Sequence, residues 1–161
     1  QTTLTAVILM IQFMAFFGAL LWGRLAKWIG AKQSVIVSLV IWSGVVVYAY
    51  GGLKGESVTT EFFILGVFIA LVMGGSQAIS RSLFAQMIPN GKEAEFFAFY
   101  EVSERGTSWI GPLVFGLANQ MFNNLRIGIL SLIFFFIVGL ILLPFVNVNK
   151  AIADAKSYKA E

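Results

Sequence analysis

Cysteine and histidine are both absent from the 161 residues of this sequence. Disulfide bonds, thiolate or imidazole metal ligands, and catalysis by a cysteine or histidine side chain are therefore excluded for this stretch of chain. Charged residues are scarce, at 12% of the total, and the net charge is only +3. A soluble domain needs more charge to cover its surface, whereas a protein embedded in a bilayer does not. The sequence shows no nucleic-acid-binding module, and we predict neither a metal nor another cofactor.

The sequence is rich in long apolar segments, with 58% hydrophobic residues and a mean hydropathy of +0.86. Charged residues divide the chain into apolar windows of about 20 residues, the length of helix that crosses a hydrocarbon core of roughly 30 Å. Backbone groups in lipid must be paired within their own segment, and the windows lack the alternation of a membrane β-barrel. We therefore predict an all-α membrane protein whose first partner is the lipid bilayer. The expected five transmembrane helices lie near residues 3–22, 33–52, 62–86, 94–122 and 126–148.

The basic residues of the loops predict an orientation. If odd-numbered helices run from outside to inside, the outer side receives only Lys54 and Arg126. The inner side receives Arg24, Lys27, Lys32, Arg81, Lys92, Lys150, Lys156 and Lys159. The N-terminal end should thus lie outside, and residues 150–161 should form a short, polar, frayed tail in the cytoplasm after a membrane bundle over 1–149. Gln1 opens directly into an apolar helix, so we expect the chain to be a piece of a longer protein and to pack against its missing N-terminal helices.

The third predicted helix changes character halfway, at Gly74 and Gly75. Beyond these glycines, Gln77, Arg81 and Phe84 share one helical face. One interpretation is a glycine-rich packing surface with Arg81 reaching the headgroups. The other, which we favour, is a polar face in which Gln77 and Arg81 line a solute pathway, because ionisable residues inside membranes mark water-filled paths or paired sites.

The fourth predicted helix carries a polar stripe, because Glu101, Glu104, Arg105 and Ser108 fall at i, i+3, i+4 and i+7. Glu101 and Arg105 also have the favourable order for an ion pair, with the carboxylate four residues before the base. The stripe is either a solvated face above the membrane or an inner-leaflet network that lines the pathway or closes its cytoplasmic end. We favour the second interpretation. We assign Tyr100 and Ser108 to the pathway, and Glu101, Glu104 and Arg105 to a gate or coupling network.

Two local signals accompany this helix. Asn90 follows Pro89 and is predicted to cap the helix, with Glu93 three residues on. Deeper in the helix, Gly111 and Pro112 predict a hinge, because proline removes one backbone hydrogen bond and crowds the carbonyl four residues back.

The end of the first helix allows two interpretations. It can be a basic interfacial turn with a tryptophan anchor, or a motif with the pattern Gly-x-Leu-Ala-x-x-x-Gly-x-Lys. That pattern resembles the loop that follows the second and eighth helices in the major facilitator superfamily. The motif residues here are Gly23, Leu25, Ala26, Gly30 and Lys32. The family's acidic and arginine positions are occupied by Lys27 and Trp28, so its charge relay is absent.

The central part of the chain resembles the vacuole effluxer-like family of that superfamily. The resemblance is carried by Gly74-Gly75-Ser76-Gln77-Ala78, Ser80-Arg81-Ser82-Leu83-Phe84, Met87-Ile88-Pro89, Glu95-Phe96-Phe97 and Ser108-Trp109-Ile110-Gly111-Pro112. The best-known members are autophagy-related vacuolar permeases that release amino acids. The resemblance implies helices eight to twelve of a partial C-terminal six-helix bundle, and a secondary transporter that moves amino acids or similar small solutes by alternating access. It further implies a bacterial inner membrane or, in a eukaryote, the vacuole.

Direction, substrate and coupling ion stay open at this stage. If protons are coupled, Glu101 and Glu104 are the candidate carboxylates. The alternative from another class is a non-transporting membrane scaffold or receptor-like subunit with the same fold. We do not predict an enzyme, because a serine mechanism lacks an evident general base.

Overall fold

The computed structural model describes residues 2–52 and 58–158. Within these two ranges the chain forms eight α-helices and one 3-10 turn, Leu143–Phe145, with no strand. The helices are α1 (Thr2–Ile29), α2 (Ala31–Gly51), α3 (Val58–Gln86), α4 (Glu93–Thr107), α5 (Ile110–Phe122), α6 (Leu125–Ser131), α7 (Ile133–Leu142) and α8 (Val148–Ser157).

Four helical segments of the described chain are long and apolar enough to cross a membrane, namely Ile8–Ile29, Ala31–Gly51, Phe63–Gln86 and Leu125–Phe145. They match the first, second, third and fifth predicted windows, so the predicted all-α membrane protein is confirmed. The window 94–122 differs from the prediction of one continuous span. It contains two shorter helices, α4 with 15 residues and α5 with 13 residues.

The break between α4 and α5 has a local cause in Pro112. Ser108 and Trp109, which separate the two helices, keep right-handed helical angles (φ −60°, ψ −26° and φ −79°, ψ −18°). Pro112 has no N–H to donate to the Ser108 carbonyl, and its ring crowds that carbonyl. The regular pattern resumes at the next residue, where the Leu113 N–H donates to the Trp109 carbonyl at 3.0 Å. The helix is therefore interrupted one turn before the proline.

The connection between α1 and α2 is shorter than predicted. The predicted end of the first helix at residue 22 is wrong, because α1 continues to Ile29 and α2 begins at Ala31. Leu25 and Ala26 pack against the buried cluster described below, so the apolar face of α1 continues past its first basic residue. Gly30 alone makes the turn, with φ +88°, a left-handed conformation that glycine adopts without steric cost.

The chain divides into two compact units, Gln1–Ser82 and Leu83–Glu161. In the first unit, Trp22, Val72 and Ile79 form a buried cluster. Its partly buried neighbours are Leu25, Ala26, Ala31, Val35, Ile41 and Trp42. The cluster thus joins α1, α2 and α3.

Glycines bring α1 and α3 into backbone contact in this unit. A methyl group added at Gly74 would overlap the Ala15 carbonyl, and one added at Gly18 would overlap the Leu71 carbonyl. One added at Gly75 would overlap the Trp22 indole. Small residues allow this close approach between membrane helices, whose association depends on van der Waals packing.

In the second unit, α5 and α6 form a tight antiparallel hairpin. Asn123 ends α5 with φ 48°, and the Oδ1 atom of Asn124 accepts a hydrogen bond from the Arg126 N–H at 2.9 Å, which caps α6. Gly128 is buried against Phe115, since a methyl group added there would lie 3.0 Å from Cε2 of that ring.

The expected frayed tail is wrong over most of its length. Asn147 caps α8, where its Oδ1 atom accepts a hydrogen bond from the Lys150 N–H at 3.0 Å. Ala155 is buried, and Val148, Ala151 and Ile152 are half-buried on the same helical face. Residues 148–157 are therefore a docked amphipathic helix, while 159–161 lie outside the described residues.

Candidate functional site

The two faces of α3 carry different residues. Gly74 and Gly75 pack on α1, whereas Gln77 and Arg81, one helical turn apart, are exposed. The Ser76 hydroxyl donates to the Met73 carbonyl at 3.1 Å, so its polar group is satisfied within the helix. The glycines thus serve packing, and the exposed polar pair lies outside that packing surface.

The predicted polar stripe is present on α4. Nε of Arg105 lies 3.5 Å from Oε2 of Glu101, in the i, i+4 arrangement expected from the sequence. The Arg105 side chain is 84% exposed and that of Glu101 is 40% exposed. Glu104 and Ser108 are also exposed, and the Ser108 hydroxyl donates to the Arg105 carbonyl at 2.8 Å. The stripe is thus a continuous surface of charge and hydroxyl groups.

Tyr100 belongs to an aromatic cluster in the second unit. Its ring centroid lies 5.0 Å from that of Phe84 and 6.4 Å from that of Phe97. Phe84 and Phe97 are in turn 5.8 Å apart in an edge-to-face arrangement. This cluster fixes the start of α4 against the last turn of α3, and Tyr100 is half-buried within it.

The connection before α4 has its own ion pair. Nζ of Lys92 donates a hydrogen bond to Oε2 of Glu95 at 3.2 Å. This bond, together with the charge of Glu95 and the nearby Tyr158, raises the pKa of Lys92 above its ordinary value. Lys92 occupies the N-cap of α4 without a side-chain capping bond, so the predicted capping role of Asn90 is wrong.

The motif at the end of α1 is folded around Gly30. The Gly30 N–H donates to the Ala26 carbonyl at 3.0 Å, and its own carbonyl accepts from both the N–H and the hydroxyl of Ser34, at 3.1 and 2.9 Å. Leu25 and Ala26 are half-buried. Gly23 is exposed and Lys32 is half-buried. The motif positions therefore build a one-residue turn between two helices.

The predicted hinge residues lie just after the helix break. Gly111 has open space around the position of a side chain, so packing does not require glycine there. Pro112 is exposed, and its missing N–H accounts for the interruption. Bending at this point during function stays a prediction.

Two clefts were not anticipated from the sequence. One, of about 420 Å³, lies between α2 and α3 and is lined by apolar residues together with Tyr48 and Glu61, whose Oε2 atom is buried. The feature of the sequence that could have indicated this cleft is Glu61, a carboxylate at the start of an apolar helix. The other lies beside α8, and the apolar residues of the sequence at i, i+3, i+4 and i+7 could have indicated this amphipathic helix.

Within the parts of the chain that the structure describes, there is no group of three or more acidic, His or Cys side chains that could hold a metal ion.

The helices and the polar faces together define a polytopic α-helical membrane protein. A family model described as "Vacuole effluxer Atg22 like" matches residues 1–156. The chain belongs to this family, which the sequence motifs had predicted.

Its relatives include proteins named as transporters and as autophagy-related proteins. The uncharacterized MFS-type transporter YxiO of Bacillus subtilis is 33% identical over 91% of this chain and 33% of its own length. Autophagy-related protein 22 of Kluyveromyces lactis is 33% identical over 77% of this chain and 26% of its own length. Autophagy-related protein 22-1 of Neosartorya fischeri is 30% identical over 89% of this chain and 26% of its own length. The chain therefore spans about a quarter to a third of the length of these relatives, and no solved structure matches it significantly.

Proposed function

We propose that this chain forms part of a secondary active transporter that moves amino acids or similar small solutes by alternating access, with Gln77 and Arg81 in the solute pathway. The observation that supports this most directly is the family match over residues 1–156 in a chain whose described helices include four membrane-length segments. The transporter name of the Bacillus relative supports the same conclusion.

The exposed polar faces add a physical argument. A charge in contact with hydrocarbon costs roughly 2.5–3.5 kcal/mol at the centre of a membrane helix, so polar faces within a membrane protein meet water or other protein. Gln77 and Arg81 on α3, and Glu104 and Arg105 on α4, are exposed in the described chain. The rest of a protein three to four times this length, or a water-filled pathway, is the expected neighbour of these faces.

The apolar exposed surface fits lipid instead. Phe13, Phe16 and Leu20 lie along one side of α1 and are 65%, 60% and 53% exposed. On α7, Phe134 and Ile141 are exposed in the same way. Such surfaces are tolerated in hydrocarbon, so the bilayer itself is proposed as the partner of these faces.

The roles within the pathway follow from chemistry. A zwitterionic solute presents one carboxylate and one ammonium group, which an arginine and a carboxylate would bind as complementary anchors. We assign Arg81 to the carboxylate of the solute. We assign the Glu101–Arg105 pair to a gate or to ion coupling, because both charges reach the surface of α4, where another part of the protein or an ion can contact them. Tyr100 and Ser108 complete the proposed pathway, Glu104 belongs to the proposed gate or coupling network, and Gly111 with Pro112 is the proposed flexure.

The proposed membrane orientation follows the basic residues. The tip of the α1–α2 hairpin and the α3–α4 connection carry Arg24, Lys27, Lys32 and Lys92, and this excess of basic residues supports a cytoplasmic side for both. A bacterial inner membrane or a vacuolar membrane is the proposed location. The protein is proposed to act without a cofactor or enzymatic step.

The test is amino-acid flux in proteoliposomes that contain the complete parent protein, with and without a pH gradient. We expect Arg81→Ala and Glu101→Gln each to lower the flux at least tenfold, which corresponds to about 1.4 kcal/mol of barrier. The matched controls are Lys27→Ala, an exposed base on α1, and Glu93→Gln, an exposed carboxylate in the first turn of α4. Both controls should retain the wild-type rate.

Two outcomes would contradict the proposal. Flux that survives both pathway substitutions would show that the stripe is a solvated helix face. No flux of any amino acid by a folded protein would favour the scaffold interpretation, which cysteine labelling at positions 77, 81, 101 and 105 would test through water accessibility. Sensitivity of the flux to the pH gradient, lost in Glu101→Gln alone, would assign proton coupling to Glu101.

A further inference from the structure

A cleft of about 340 Å³ lies within the second unit, between the α3–α4 connection and α8. Its volume is in the lower part of the range of roughly 300–1,000 Å³ that is usual for small-molecule sites. The residues that line it include Gln86, Ile88, Asn90, Ile152 and Lys156. None of these takes part in the proposed transport pathway.

Ordered elements build both walls of the cleft. The chain leaves α3 after Gln86 through two turn hydrogen bonds, from the Met87 N–H to the Phe84 carbonyl at 3.0 Å and from the Ile88 N–H to the Ala85 carbonyl at 3.3 Å. Ile88 is only 7% exposed. On the other side, the Asn147 cap and buried Ala155 hold α8 in place. The cleft is therefore a consequence of packed elements on both sides.

The lining combines two kinds of chemistry. Ile88 and Ile152 are apolar, whereas the amides of Gln86 and Asn90 and the ammonium group of Lys156 are hydrogen-bond donors. The lining residues of this described cleft include one cation and no carboxylate. Asp154 also lies on α8, but it is exposed and outside the lining. Such a lining suits an anionic group attached to an apolar body.

The position of the cleft along α3 indicates the source of such a group. The apolar span Phe63–Gln86 ends at the residue where the cleft begins. The cleft thus lies at the level where hydrocarbon gives way to headgroups. A basic residue near an anionic membrane surface is attracted to it, with about 1 kcal/mol per Lys or Arg.

We propose that this cleft binds the headgroup of an anionic phospholipid from the adjacent leaflet. The phosphate accepts hydrogen bonds from the side chains of Lys156, Gln86 and Asn90, and the glycerol end of the lipid lies against Ile88 and Ile152. The bound lipid ties α8 to the α3–α4 connection. The inference depends on the membrane placement of the chain and not on its transport activity.

The test is lipid retention by the complete parent protein, purified in detergent and measured by native mass spectrometry with phosphatidylglycerol and phosphatidylcholine as probes. We expect preferential retention of phosphatidylglycerol. Lys156→Ala should weaken its apparent affinity about fivefold, the equivalent of about 1 kcal/mol for one basic contact. Gln86→Leu, which removes an amide while keeping the size of the side chain, should also weaken it, and Lys156→Arg should preserve most of it.

Lys150→Ala is the matched control, because Lys150 carries the same charge on the same helix but does not line the cleft. Equal losses in Lys150→Ala and Lys156→Ala would show general surface attraction and overturn the proposal. Equal retention of the two lipids would overturn it as well. A third arm uses inorganic phosphate alone, and displacement of the lipid by millimolar phosphate would assign the cleft to a soluble anion. All readouts are binding measurements, so they stand whether or not the protein transports amino acids.

Discussion

Replacing Gly74 with alanine tests the close crossing of α1 and α3. The added methyl group would overlap the Ala15 carbonyl, which belongs to the backbone of the facing helix. A backbone atom has no rotamer to adopt, so relief requires the two helices to move apart. That movement would also loosen the neighbouring contacts of Gly18 with Leu71 and of Gly75 with Trp22.

The expected loss combines two opposing effects. Overpacking at a rigid contact costs up to about 3 kcal/mol, while Gly→Ala in a helix gains roughly 0.5–1 kcal/mol from backbone entropy. We expect a net loss of roughly 1–2.5 kcal/mol for Gly74→Ala from these same two effects. Gly66→Ala is the control, because Gly66 lies on the same helix with nothing within 4 Å of the added atom. That variant should be unchanged or slightly more stable.

The assay measures the temperature at which half of the complete parent protein is unfolded in one detergent, with size-exclusion chromatography as the readout. Gly74→Ala should unfold at least about 2 °C below Gly66→Ala, by the usual relation between stability and melting temperature. Gly75→Ala should also destabilise the protein, but here the obstacle is a side chain. Combining it with Trp22→Leu should recover part of the loss, whereas no side-chain substitution in α1 should rescue Gly74→Ala. Equal stability of the Gly74 and Gly66 variants would refute the close crossing.

Three further predictions concern single turns. Gly30→Ala should destabilise the α1–α2 hairpin by about 1–3 kcal/mol, because φ is +88° at this residue. Gly44→Ala is the control and should not destabilise the protein, since Gly44 has open space around it on α2. Equal melting temperatures of the two variants would contradict the prediction. Pro112→Ala should restore an N–H donor to the Ser108 carbonyl and join α4 to α5 into one helix. Amide hydrogen exchange across residues 107–113 should then be slower than in the wild type, and unchanged exchange would disprove this. Asn124→Ala should lower the free energy of unfolding by about 1 kcal/mol, because it removes the cap of α6. The melting temperature should fall in this variant and stay close to the wild-type value in Asn124→Asp, whose carboxylate can accept the same hydrogen bond. An equal fall in both variants would argue against the cap.

The helical class and four of the five predicted membrane windows follow from the charge-free stretches, because hydrocarbon thickness and backbone pairing leave few alternatives. Helix ends were predicted less well. The sequence predicts that the first helix ends near residue 22, but α1 continues to Ile29 because Leu25 and Ala26 contact the buried cluster. The end of a helix in such a protein depends on what its last turns touch, and a single sequence does not contain that information.

The polar stripe on α4 was predictable from spacing alone, and the Glu101–Arg105 distance agrees with it. The division of α3 into a packing face and a polar face was only half predicted. Gly74 and Gly75 could have served either interpretation, and the deciding fact is the position of Ala15 and Trp22 on another helix. The missed element, α8, had a readable signal in Asn147 and the apolar spacing that follows it. Its small size and polar composition concealed that signal.

The single residue between α1 and α2 also has a consequence for how the protein is made. The one-residue connection leaves little freedom between the two apolar segments, which favours their insertion into the bilayer as a helical hairpin during synthesis. Its tip carries Arg24, Lys27 and Lys32, and moving three positive charges across the membrane is strongly disfavoured. In the proposed orientation the tip stays on the side of the ribosome, and this one glycine turn sets the direction of the helices that follow it.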